Sequence, residues 1–214
     1  ITPKEIFANP VLCDLANNLK RAQQAQERQL PEHAFGLMPI QAHFMAQNFA
    51  EPNYWNQHVC VELKQEMDTT ALNSALNALV KHHPSLRLGF SNQAGQWQQA
   101  YQPFEQSERL WQLEAQDEAE FDTFAHSIQT SLDLNSGKLL QAGLAKIHGQ
   151  ASRLLLVIHH MAVDGVSWRV LLDDLWTAYQ QIISDQKINL PTNYTSLDMA
   201  VEQLNEWRKS DYCQ

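Results

Sequence analysis

A mixed α/β fold, a sheet with helices packed on it, follows from three patterns in this sequence. Residues 56–64 alternate polar and apolar, with His58, Cys60 and Glu62 set against Val59, Val61 and Leu63, as in a half-buried strand. The run Leu-Leu-Leu-Val-Ile at 154–158 is continuously apolar, as expected of a strand covered on both faces. Trp168, Leu171, Leu172, Leu175, Tyr179, Ile182 and Ile183 recur at helical spacing and predict a long amphipathic helix. Strands and helices interleave along the chain, and an apolar strand face is buried by helices laid over it.

The remaining elements follow in order. Residues 1–19 read as two short helices. Thr2, Pro3 and Glu5 fit a capping box with proline in the first turn. Asn9 and Pro10 repeat the start, with Val11, Leu12, Leu15 and Leu19 as the stripe. Residues 20–34 are polar and glutamine-rich and read as a linker ending near Pro31. Residues 39–48 predict a helix. Asp68 is placed to cap the next one, with Met67 and Leu72 as a staple and Leu72, Leu76, Leu79 and Val80 as its buried face. Pro84 ends it. Leu86, Leu88 and Phe90 alternate as a strand, and further strands are expected near 96–102 and 109–114. A helix is expected over 118–132 and strands over 139–147 and 153–159, turning at Gly149. Thr195 and Asp198 are placed to start a final helix carrying Leu197, Val201 and Leu204.

Bulk properties exclude several functions. The chain has 214 residues, 44% of them apolar and 18% charged, which supports a real core rather than disorder. The net charge is −9 and no run of Lys or Arg exceeds two residues, so neither nucleic acid nor an anionic membrane is an expected partner. Cys13, Cys60 and Cys213 fit no disulfide or zinc spacing, and a reducing cytoplasmic setting is the simplest expectation. No apolar run approaches the length that spans a bilayer.

Chemistry concentrates in residues 154–176. The buried strand ends in His159-His160, a short step leads to Asp164-Gly165, and the long helix follows. Neighbouring strand residues point to opposite faces, so one histidine can face a substrate while the other braces the fold. For the same reason the pair is not expected to share a metal ion. Gly165 is expected to take a backbone angle closed to other residues. Taken singly, Asp164 reads as a helix cap and Asp-Gly as a turn pair.

Together, His159-His160-x-x-x-Asp164-Gly165 resembles the HHxxxDG motif of the chloramphenicol acetyltransferase-like superfamily, which includes the condensation and epimerization domains of nonribosomal peptide synthetases. Its continuation, Val166-Ser167-Trp168-Arg169, is most similar to the epimerization branch. Leu37-Met38-Pro39-Ile40-Gln41 resembles the family's opening motif, and Tyr54-Trp55-Asn56-Gln57 the approach to its first strand. His82-His83-Pro84-Ser85-Leu86-Arg87 resembles its second core motif, although Pro84 replaces the usual acidic residue. Residues 190–200 resemble the segment that follows the active-site helix.

The resemblance carries a set of expectations. Residues 35–214 would form one chloramphenicol acetyltransferase-like lobe, an α+β sandwich with a mixed sheet covered by helices. They would be the N-terminal lobe of an epimerization-type domain, and residues 1–19 the end of a peptidyl carrier domain acting in cis. A C-terminal lobe would follow residue 214 and bring a catalytic acid. His160 would be the catalytic acid or base, with His159, Asp164, Gly165 and Arg87 structural. Arg87 would pair with Asp164, and Ser167 and Trp168 would support the motif. The substrate would be an aminoacyl or peptidyl thioester on a carrier's phosphopantetheine arm, with no metal or diffusible cofactor. Peptide-bond formation, or a lobe that only docks a carrier, are the alternatives.

Overall fold

The computed structural model describes residues 11, 13, 14, 29–191 and 196–209. The capping box at Thr2–Glu5, most of the helices expected over 1–19, most of the 20–34 linker, and Thr195 lie outside the described residues.

Four strands form the central sheet: β1 (Asn56–Glu62), β4 (Leu110–Ala115), β5 (Leu140–Ile147) and β6 (Arg153–His159), in the order β1-β6-β5-β4. The β1–β6 and β5–β6 pairs are antiparallel and β4–β5 is parallel, so the sheet is mixed as expected. Alternation along β6 divides its apolar run between two layers. Leu154, Leu156 and Ile158 meet α2 (Thr69–His82) and α4 (Ser167–Ile183) in the main core. Leu155 and Val157 meet Ile128, near the C-terminal end of α3 (Glu118–Gln129), on the other face. The approach of α3 is close. A Cβ on Gly143 of β5 would lie 2.4 Å from Ile128 Cδ1 and 2.6 Å from Phe124 Cε1, so a larger residue there would have to push these side chains back.

Capping chemistry sets where these helices begin. Asp68 Oδ1 accepts from the Ala71 amide at 2.8 Å, which confirms the expected start of α2. Asp117 does the same for α3 through the Glu120 amide at 3.0 Å. The helix expected over 118–132 stops at Gln129, where Ser131 bonds its own turn through the Ile128 carbonyl. A short helix α1 (Pro39–Ala46) precedes the sheet, and α5 (Leu197–Arg208) closes the described chain.

Two elements differ from their sequence patterns. Leu86 and Arg87 belong to a 3₁₀ turn, Pro84–Arg87, and the strand starts only at Leu88. Proline at the first position favours a helical turn and cannot donate to a strand ladder. The strand β2 (Leu88–Gln93) pairs with β3 (Gln96–Tyr101) in a hairpin, tightened by Ala94 and Gly95 at φ 51° and 87°. β1, expected to be half-buried, is the sheet edge, and Val61 on it is 41% exposed. Alternation alone does not distinguish an edge strand from an interior one. Among the described residues, no helix is long and apolar enough to cross a membrane.

Candidate active site

The end of β6 separates its two histidines as alternation requires. His159 is fully buried and His160 is exposed. The Met161 amide donates to His159 Nδ1 at 3.1 Å, so the proton sits on Nε2, which donates to the Pro52 carbonyl at 2.9 Å. The His159 ring also meets Phe44 edge-on, with centroids 6.0 Å apart. Burial is the main reason its pKa falls to about 4. His159 is therefore a neutral brace between the strand end and the Pro52–Tyr54 turn.

His160 is held from three sides. Its backbone amide donates to the Trp55 carbonyl at 2.8 Å. Its Nδ1 lies 2.8 Å from the Val163 carbonyl, which can only accept, so Nδ1 carries a proton. The Trp55 ring lies nearly parallel to it, at 9° with centroids 6.4 Å apart, and Trp55 stacks in turn on Phe49. The remaining ring atom, Nε2, is 3.2 Å from Gln57 Nε2, and Gln57 Oε1 accepts from Trp168 Nε1 at 2.9 Å.

Asp164 is a helix cap. Its Oδ1 accepts from the Val166 amide at 3.1 Å, the Ser167 amide at 2.8 Å and the Ser167 hydroxyl at 2.6 Å. These bonds, the Ser167 hydroxyl first, hold its carboxyl below the usual aspartate pKa. The carboxylate is exposed and satisfies the first amides of α4. Ser167 and Trp168 thus both act on the loop that carries the motif, one through Asp164 and one through Gln57.

Two expectations are corrected here. Arg87 does not pair with Asp164. Its guanidinium donates to the Gln102 carbonyl, and its buried Nε has no hydrogen-bond partner among the described residues. The 3₁₀ turn aims Arg87 at the end of β3, while Asp164 is taken up by its own helix. Gly165 has no left-handed φ, and a Cβ placed on it would meet nothing within 4 Å among the described residues. What glycine supplies at this position is open space, not an unusual backbone angle.

The structure also assembles residues whose roles the sequence did not single out. Gln57 is one. Another is Asp174, 5% exposed on the apolar side of α4, which accepts from His83 Nε2 at 2.7 Å and so ties α4 to the end of α2. An acid inside an apolar stripe needs such a partner, and that was the available signal. His82, His83 and Asp174 have ligand atoms within 4.8 Å of one another, a set able to hold a metal ion. His83 bonds directly to Asp174, and His82 Nε2 lies 2.8 Å from the Pro191 carbonyl. His160 is exposed beside Trp55, which is 48% exposed, and Val166 and Val170 at the start of α4 are 79% and 48% exposed.

A family model described as "Condensation domain" matches residues 32–212. The chain belongs to the condensation-domain family. Its paired histidines stand at the end of β6. Over 97% of its length it is 36% identical to one of the linear gramicidin synthase proteins of Brevibacillus parabrevis, covering 4% of that protein. Surfactin synthase subunit 2 of Bacillus subtilis (strain 168) is 32% identical over a similar span, of which the chain covers 6%. Among solved structures, the epimerization domain from the third module of a tyrocidine synthetase superposes with a TM-score of 0.80 at 31% identity, over 87% of this chain and 44% of that one. The first condensation domain of the calcium-dependent antibiotic synthetase, in complex with a substrate analogue, gives 0.71 at 18% identity and shares the fold, over 84% of this chain and 46% of that one. The chain therefore spans less than half of these two solved chains and a small part of the curated relatives.

Proposed function

We propose that this chain is the histidine-bearing lobe of an epimerization domain. It would invert the α-carbon of an aminoacyl or peptidyl thioester held on a carrier's phosphopantetheine arm. The observation that carries the reading is the 31% identity and 0.80 TM-score to an epimerization domain. Condensation-domain structures match at 14–19% identity. The Trp168 indole supports it, because the residue that sets Ser-Trp apart in the sequence reaches the His160 neighbourhood through Gln57.

The chemistry balances without an oxidant or a metal. A base removes the α-proton, the C–H electron pair moves into the thioester as an enolate, and a donor on the other face returns a proton to carbon. His160 is the residue assigned to exchange that proton in this reading. It is exposed, it ends a rigid strand, and its Nε2 is the ring atom turned away from the loop. A carboxylate from a second lobe, expected beyond residue 214, would work on the opposite face. His159 and Asp164 hold the strand end and the loop and handle no substrate proton. The exposed Trp55, Val166 and Val170 would line the channel between lobes. Residues 1–19 would be the end of a peptidyl carrier domain acting in cis, residues 20–34 its linker, and residues 35–214 the N-terminal lobe.

A second reading, peptide-bond formation with His160 beside the attacking amine, is favoured by the description of the family model. The test is to load a carrier with a defined L-substrate, add the complete domain and analyse product chirality. Appearance of the D-thioester supports epimerization. A retained L-centre, with amide formed to an acceptor, overturns it in favour of condensation.

A further inference from the structure

We propose that Gln57 and Trp168 are positioning residues that hold the His160 imidazole in its Nδ1-protonated form, with the Nε2 lone pair accepting from Gln57. The inference rests on the reading of His160 as the group that exchanges the substrate proton.

The Trp168 indole N–H can only donate. The Gln57 atom 2.9 Å from Trp168 Nε1 must therefore be the amide oxygen. That assignment turns the Gln57 nitrogen, a donor, toward His160 Nε2 at 3.2 Å, and the ring nitrogen there must accept. At the far side of the ring the Val163 carbonyl accepts at 2.8 Å, so Nδ1 must donate. Two independent contacts, one from β1 and one from the loop after β6, select the same neutral tautomer.

The reverse arrangement fails at both ends. Flipping the Gln57 amide would set its nitrogen against the indole N–H and its oxygen against the Nε2 lone pair. Moving the proton to Nε2 would relieve the second conflict but turn a bare Nδ1 toward the Val163 oxygen. The lock spans residues 57, 160, 163 and 168, so it closes only when β1, the end of β6 and the first turn of α4 are all in place. Trp55, parallel to the imidazole, limits how far the ring can tilt. Of the two contacts to the ring, that from Gln57 is the longer, and so the easier for an incoming substrate to displace.

The test uses the complete domain with ¹⁵N-labelled histidine. Imidazole ¹⁵N shifts of His160 report its tautomer, and α-proton exchange with deuterated solvent on a carrier-bound substrate reports its chemistry. Gln57→Glu is nearly isosteric and still accepts from Trp168, but it offers Nε2 an oxygen. Its spectrum should move toward a ring protonated on both nitrogens. Trp168→Phe keeps an aromatic ring and removes the pinning N–H, so the Nδ1-protonated signature should weaken. Exchange should fall about 10-fold or more in both, as for a misplaced reacting group, yet by less than in His160→Ala, where the general acid or base is gone. Wild-type ¹⁵N shifts in both variants overturn the lock. Changed shifts with wild-type exchange overturn its role in positioning. His160→Ala exchanging at the wild-type rate instead overturns the reading of His160, while the spectra still decide the tautomer.

Discussion

Lowering the pH from 7 to 5 should weaken this fold through His159. The buried ring has a pKa of about 4 in the folded protein against 6.5 for an ordinary imidazole. Because the folded value is depressed, the folded state binds fewer protons than the unfolded chain between those two values. The stability from keeping His159 neutral is present above about 6.5 and is lost as pH falls toward 4. The full gap of about 2.5 units is worth about 3 kcal/mol, of which about 2 kcal/mol is lost by pH 5. His83, also lowered by burial, contributes with the same sign. The depressed carboxyls of Asp133 and Asp164 act at lower pH, below the usual aspartate value of 3.8. The assay is urea denaturation of wild type and His159→Phe at pH 7 and pH 5. At pH 7 the variant should be less stable, because the Pro52 carbonyl and Met161 amide lose their partner, at about 1–3 kcal/mol for each group left buried and unpaired. Between pH 7 and pH 5 it should lose about 2 kcal/mol less than wild type. Equal losses in the two proteins would refute the assignment of His159 as a neutral buried brace.

Asp164→Ala removes a cap and not a buried ion pair, so it should cost about 0.5–2 kcal/mol in thermal or chemical denaturation. A loss of about 3–5 kcal/mol, typical of an orphaned buried charge, would contradict the cap. Gly165→Ala should leave stability within about 0.5 kcal/mol, since its Cβ meets open space and no positive φ is involved. If it nevertheless slows α-proton exchange in the complete domain, the space beside Gly165 belongs to the substrate; unchanged exchange would place the substrate elsewhere.

Much of the site is legible in the sequence because its parts are local. The Leu-Leu-Leu-Val-Ile run, the histidine pair, Asp164 and the stripe of α4 lie within one stretch, and alternation alone separates His159 from His160. The misreadings arise from short or distant signals. Leu86 extends the alternation of Leu88 and Phe90, which do lie in β2, yet Pro84 takes Leu86 and Arg87 into a 3₁₀ turn and carries Arg87 away from Asp164. The pattern of β1 identifies a strand but not an edge, which depends on which strand lies beside it. Gln57 lies 103 residues from His160 and 111 from Trp168, and no periodicity links such positions. The signal at Asp174 is present, as an acid among Leu171, Leu175 and Ala178, but its partner becomes visible only once α2 and α4 pack together.

The central claim is that His160 exchanges the substrate's α-proton, and its most direct test is deuterium incorporation from solvent. A complete domain carrying His160→Ala, given a carrier-bound L-substrate, should lose about 10²–10⁴-fold in α-proton exchange while its fold and carrier binding stay close to wild type. Exchange at the wild-type rate in that folded variant would contradict the account.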